Sequence, residues 1–126
     1  MKDVKFEFYI GDTYTRDFII NGYSDTISDV YFTVKKADDD KRFVLQKTLD
    51  NGITLTDIQY DTDGTTIISR TYNLLLNADD TETLKPDVEY PFDIEIITPK
   101  DNDEIKKTII KGIVVLSSAT TRVWDE

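Results

Sequence analysis

The chain contains no cysteine and no histidine, only three prolines and five glycines, and fifteen basic residues against twenty-five acidic ones. Without cysteine there are no disulfides, no thiolate metal sites and no thiol nucleophile. Without histidine the commonest general base and the commonest metal ligand are gone, and with them Ser-His and Cys-His triads and the usual zinc centres. Any enzyme built on this chain would run on carboxylates, lysine or tyrosine. A formal net charge of -10 repels phosphate backbones and anionic lipid, so neither nucleic acid nor a membrane surface is an expected partner. The longest apolar run singled out, Ile113 to Leu116, is far too short to span a bilayer. Residues 1–12 alternate charged and apolar positions and hold no apolar stretch of signal-peptide length. These features lead us to expect a protein made in the cytoplasm.

What the chain does have is period-two alternation rich in β-branched and aromatic residues, from one end to the other. Phe6, Phe8 and Ile10 would share one face of a first strand, and Tyr14 to Ile20 forms a second. Val30, Phe32 and Val34 point one way while Tyr31, Thr33 and Lys35 point the other, the pattern of a strand with one wet face. Asn51-Gly52, between two alternating runs, predicts a tight hairpin. Asp61 to Gly64 predicts a polar turn, followed by a strand with Tyr72, Leu74 and Leu76 on one face. A last long strand runs from about Glu104 to Leu116, with Gly112 as a bulge or close-approach point. The one helical possibility is a single turn capped by Asn77 or Asp79 and ending at Leu84, before Pro86. At 126 residues the expectation is one domain over 1–126. Its fold class is all-β: an immunoglobulin-like antiparallel β-sandwich of seven to nine strands.

Four acidic turns invite a test for calcium: 38–40, 61–64, 79–80 and 101–104. Aligning Gly64 with the glycine of an EF-hand loop puts Gln59 at the first ligand position and Arg70 at the bidentate glutamate position, so the motif fails at both ends. Asp and Asn also bond their own backbone in turns, which suffices to explain the clusters. A glycosidase pair needs one carboxyl in a partly apolar cleft, whereas these carboxyls sit in polar turns. The lysines fall in charged runs such as residues 99–107, not in desolvated sites. No catalytic, cofactor-binding or metal-ligating residue is therefore assigned. Seven tyrosines and Trp124 keep a carbohydrate-binding module open, with Tyr31 on the polar face of its strand as its candidate residue. A calcium-dependent adhesion domain is a further alternative, and it would need the acidic loops to converge at one pole.

Residues 79–96 (DDTETLKPDVEYPFDIEI), followed by residues 106–122 (KKTIIKGIVVLSSATTR), carry a resemblance. They are similar to a recurrent ending in small structural proteins of tailed bacteriophages and prophages, including the amino-terminal domains of baseplate upper proteins and related tail or head-fibre accessory proteins. The matching positions are Thr81, Leu84, Pro86, Tyr90, Asp93-Ile94, Thr108, Gly112 and Thr121-Arg122, and the likeness covers roughly residues 45–122. Where that family has glycine between the proline and the tyrosine, this chain has Asp87-Val88-Glu89, and Pro91 interrupts the strand. Because proline donates no ladder hydrogen bond, this segment is expected at a sheet edge or a bulge. The resemblance implies a non-enzymatic module made in the host cytoplasm and assembled into a virion. Its partners would be other phage structural proteins, or itself as a small symmetric oligomer. The expected contact surface is the amino-terminal edge, residues 4–10, or the tail around Trp124.

Overall fold

The computed structural model describes residues 4–9, 12–22, 26–37, 43–82, 84–100 and 103–117. Eight strands follow one another: β1 Val4–Tyr9, β2 Tyr14–Asn21, β3 Asp29–Lys35, β4 Phe43–Leu49, β5 Gly52–Tyr60, β6 Ile67–Leu76, β7 Glu89–Lys100 and β8 Asp103–Ser117. They form one mixed sheet in the order β1-β8-β7-β3-β4-β5-β6-β2, which curls until it nearly closes into a barrel. Ile10, Trp124 and the acidic residues 38–40 and 101–102 lie outside the described residues.

The alternation of the sequence maps onto an inside and an outside. Phe6, Phe8, Phe18, Ile20, Val30, Phe32 and Val34 are buried, as are Tyr72, Leu74, Leu76, Phe92, Ile94 and Ile96. All belong to one apolar cluster to which every strand contributes. Removing each large side chain from water stabilises by roughly 1.5–3 kcal/mol. The Phe6 ring stacks on Phe92 with centroids 4.6 Å apart, and Phe18 stacks on Tyr72 at 5.5 Å. Thr33, expected on a wet face, is instead buried, because Gln46 Nε2 of the neighbouring β4 donates to its hydroxyl at 3.0 Å.

Three expectations are corrected. The sheet is not wholly antiparallel, since β1 lies parallel to β8 and β4 parallel to β5. The second of these overturns the hairpin at Asn51-Gly52. Left-handed backbone falls at Asp50 (φ 66) and Gly52 (φ 102) rather than at both Asn51 and Gly52. Thr48 and Asn51 exchange backbone bonds of 3.2 and 2.9 Å, and the Asp50 N–H donates to the Ile53 carbonyl at 2.7 Å. The chain therefore corkscrews through the turn and keeps its direction instead of reversing. Any side chain at Gly52 would collide with the stem of Lys47, so the glycine is demanded twice.

Pro91 is the third correction. It lies on β7, which is interior, between β8 and β3. The β3 ladder ends one residue away, at Val34 with Phe92, so at Pro91 the strand has a partner on the β8 side only. The lost donor is tolerated at a locally one-sided position.

The acidic stretch before β7 is a 3-10 turn, Ala78–Thr81, with Asn77 as its first cap. Asp80 reaches back to accept the Asn77 N–H at 2.8 Å. Thr81 and Leu84 are buried. The chain then turns through Asp87, at φ 61, and enters β7 with the buried Tyr90, whose hydroxyl accepts the Lys85 N–H at 2.9 Å. A left-handed residue thus stands within Asp87-Val88-Glu89, and Asp is among the few L-residues that tolerate it.

Candidate protein-interaction seam

The strand order begins with β1 and ends with β2, so the sheet has two free edges, and its curl brings them face to face. Neither strand hydrogen-bonds the other as a ladder among the described residues: β1 pairs with β8 and β2 pairs with β6. Side chains close one end of this seam. The Tyr14 ring stacks on Phe8 at 4.6 Å, and the Arg16 guanidinium lies 4.7 Å from the centre of the Phe6 ring. Arg16 Nη1 also donates to the Lys5 carbonyl at 3.4 Å. By alternation Arg16 belongs to the inward set with Tyr14, Phe18 and Ile20, and an inward charge on an edge strand is one way to blunt it.

The other end of the seam holds a groove. Along β8, β1 covers Gly112 to Ser117, while β8 itself begins at Asp103. Among the described residues the β1 ladder on β8 starts with Val4 opposite Gly112. Gly112 is a close-approach point, because a Cβ there would run into the Val4 carbonyl oxygen and the Phe92 ring. Just before it the β7–β8 register slips, from Ile94 opposite Ile110 to Glu95 opposite Thr108. Ile109 is thus a bulge residue, and bulges bend a strand and interrupt its pairing. Between this bent edge and the end of β2 lies a groove of about 360 Å³ lined by Ile19, Ile20, Asn21 and Lys107 to Ile110. Ile19 is 55% exposed. Exposed Lys106, Lys107 and Lys111 stand on the same stretch of β8, a basic stripe in an acidic chain.

The acidic turns have structural partners. Asp63 accepts the backbone N–H groups of Thr65 and Thr66, each at 2.8 Å, and the Thr66 hydroxyl. These bonds favour the ionised form and hold its carboxyl down to about 2. Asp80 adds to its cap a 2.7 Å ion pair with Lys47. Among the described residues no three of His, Cys, Asp and Glu are grouped as a metal site. Of the exposed aromatics, Phe43 opens β4 and Tyr60 closes β5, so these two stand at opposite ends of a pair of strands that meet at Thr48 to Ile53. Tyr31 is only half-buried and has no exposed aromatic beside it on β4 or β7.

The expected contact edge, residues 4–10, is therefore partly sealed: Phe6 and Phe8 are core, and Arg16 and Tyr14 cover the seam beside them. The groove falls on residues 107–110 and 19–21, which alternation alone did not single out. The signal that could have found them is the pair of lysines and the third at 111 around an apolar centre, so unlike the rest of the chain in charge.

No helix among the described residues is long and apolar enough to cross a membrane. The sheet's apolar face points inward, the reverse of a membrane barrel, whose lipid-facing band is apolar. No family model, no curated protein and no solved structure matches the chain.

Proposed function

We propose that this chain is a non-enzymatic protein-interaction module that joins a neighbouring protein through the free strand edges of its open seam. The observation that carries this is that the two end strands of the sheet, β1 and β2, face each other without a ladder between them among the described residues, with a groove at one end of the seam. Strand edges that no neighbour pairs are templates for another strand unless they are blunted, and here Arg16 and Tyr14 blunt one end of the seam.

At finer resolution we read the sheet as an immunoglobulin-like sandwich. The order divides naturally where β4 and β5 share only two residue pairs, giving β1-β8-β7-β3-β4 and β5-β6-β2. That is the membership of the two immunoglobulin sheets, with β8, β7 and β3 as the G, F and C strands and β2, β6 and β5 as B, E and D. The Tyr90 hydroxyl bonded back to Lys85 N–H corresponds to the tyrosine corner at the start of strand F. Phe92, two residues on, fills the position where antibody domains have their second cysteine, and it packs on Phe32 at 5.2 Å. Aromatic packing takes the place of the disulfide.

The resemblance around Thr81, Leu84, Pro86, Tyr90 and Gly112 supplies the setting: a tail, baseplate or fibre accessory module of a tailed-phage virion, contacting other virion proteins. Co-expression with the products of the flanking genes, followed by size exclusion, tests this. A stable complex whose amide-exchange footprint falls on the seam is expected. Failure of every neighbour to co-elute, together with saturable glycan binding that Tyr31→Ala abolishes, would replace this reading with the carbohydrate module.

A further inference from the structure

Independently of the interaction-module reading, we propose that Asn51-Gly52 is a modification site: in the folded protein the Asn51 side chain deamidates through a cyclic imide, leaving aspartate or isoaspartate in the turn between β4 and β5. Solvent base takes the proton of the Gly52 N–H, and that nitrogen forms a bond to Asn51 Cγ. The bond from Cγ to the side-chain nitrogen breaks, and the nitrogen takes a proton from solvent and leaves as ammonia. Water then adds across one of the two imide carbon–nitrogen bonds and opens the ring. Opening on the side-chain bond gives aspartate, and opening on the main-chain bond gives isoaspartate. Nothing is oxidised or reduced, and water is the sole co-reactant. A following glycine favours ring closure, because no Cβ shields its nitrogen and its backbone turns freely.

The chain offers three dipeptides in which this ring could form: Asn21-Gly22, Asn51-Gly52 and Asp63-Gly64. The fold treats them differently. At the first, the attacking nitrogen is engaged, since the Gly22 N–H donates to the Ile68 carbonyl at 3.1 Å beyond the last β2–β6 pair. At the third, both reacting groups are engaged. The Gly64 N–H donates to the Asp61 carbonyl at 2.9 Å, and the Asp63 carboxyl accepts from the Thr65 and Thr66 N–H groups. Those bonds hold that carboxyl down to about 2, so at neutral pH it is an ionised, poor electrophile.

At Asn51 the arrangement is the reverse. The residue is exposed. The slanted bonds of a parallel ladder run from one residue to those flanking its opposite number, and in the Thr48–Gly52 pair Thr48 is the bonded member. Its N–H donates to the Asn51 carbonyl at 3.2 Å, and its carbonyl accepts the Asn51 N–H at 2.9 Å. The ladder to β6 begins one residue later, with Ile53 opposite Leu74. Among the described residues the Gly52 N–H thus stands outside both ladders, next to an exposed amide. Isoaspartate would route the main chain through Cβ and lengthen it by one carbon, at a junction that only two residue pairs close.

The test incubates the full chain in mildly alkaline buffer, folded and in denaturant side by side, then maps the acid forms by digestion and mass spectrometry. In the folded protein Asn51 should convert about fivefold or more faster than Asn21, the factor that one backbone hydrogen bond of ordinary net strength supplies. In denaturant, where only the local sequence acts, the two rates should converge. Isoaspartate, scored by enzymatic methylation, should vanish in Asn51→Gln and persist in Asn21→Gln. The isolated isoaspartate form should exchange the Thr48 and Ile53 amides faster than the parent, whereas Asn51→Asp, which adds the charge without the extra carbon, should not. Equal rates at the two asparagines in the folded protein, or faster conversion at Asn21, would overturn the proposal. So would an Asn51 that stays intact while the denatured chain converts. A preference for Asn51 that persists unchanged in denaturant would also overturn it, because neighbouring residues and not the fold would then set the selectivity.

Discussion

The two junctions between the halves of the sheet are closed by different means. At β4 and β5, in the middle of the chain, two backbone pairs, a demanding glycine and the 2.7 Å Lys47–Asp80 ion pair hold the junction. At β1 and β2, near the amino terminus, only side chains reach across, and they reach across only one end. Chain connectivity does not explain the asymmetry, because both junctions are spanned by a short link, residues 50–51 between β4 and β5 and residues 10–13 between β1 and β2. The ladder does: Thr48 and Leu49 pair with Gly52 and Ile53, whereas β1 pairs with β8 and β2 with β6, and neither pairs with the other among the described residues. A junction closed by backbone pairs is set by the main chain, and one closed by side chains depends on which side chains reach across.

The largest effect should come from breaking the sealed end of the β1–β2 junction at its root. Phe6→Ala removes the ring that touches Tyr14, Phe32, Phe92 and Arg16. It should cost about 3–5 kcal/mol in denaturant unfolding. A loss below about 1 kcal/mol would show that β1 contributes little to the core and that the whole seam, not half of it, is loose.

Next is the stitched junction. Lys47→Met keeps the stem that lies over Gly52 and deletes only the ammonium, leaving Asp80 with its cap bond to Asn77. The pair is partly shielded, with side chains 13% and 17% exposed. The expected cost of about 1–2 kcal/mol lies between those of surface and buried pairs. It should shrink little with added salt, unlike a surface pair. A change within experimental error would mean that the backbone turn alone holds β4 to β5.

Much of this architecture is legible in the sequence, and the limits have physical causes. Alternation identifies the strands and their buried faces, because a half-buried strand must repeat every two residues. Cap chemistry also finds the single turn that ends near Leu84, because turns and caps are local; the Tyr90 hydroxyl's bond back to Lys85 is not legible. The resemblance rests on that same corner: Thr81, Leu84 and Tyr90 are buried and Gly112 is a close approach, so its motif residues do packing. What alternation cannot give is which edge faces which. The parallel β4–β5 junction arose because Asp50, not Asn51, took the left-handed conformation, a choice of one residue that reverses the expected direction of the next strand. The groove depends on how the ends of β2 and β8 approach each other, a long-range fact that alternation does not contain.

Arg16→Ala comes third. It removes a cation-π contact and one 3.4 Å hydrogen bond at an exposed position, together about 0.5–1 kcal/mol. Its clearer signature is local: amides of β1 should exchange faster while those of β5 do not change. Uniform acceleration across the sheet would indicate global destabilisation and no special role at the seam.

The smallest effect on folding should be at the groove end, and that contrast is what separates a binding surface from a core. Ile19 is 55% exposed on an edge strand, with its side chain at the groove and its backbone paired only to β6 through Thr71. Ile19→Thr keeps the β-branched shape that suits a strand and removes only apolar surface that folding leaves in water. Its unfolding free energy should stay within about 0.5 kcal/mol of the parent. The same substitution removes apolar surface from the lining of the groove, so it should weaken binding of a partner at the seam measurably while the melting curve is unchanged. A stability loss above about 1.5 kcal/mol would show that Ile19 is covered in solution by part of the chain itself. The groove would then be a filled element of the core, and the difference between the two ends of the seam would vanish.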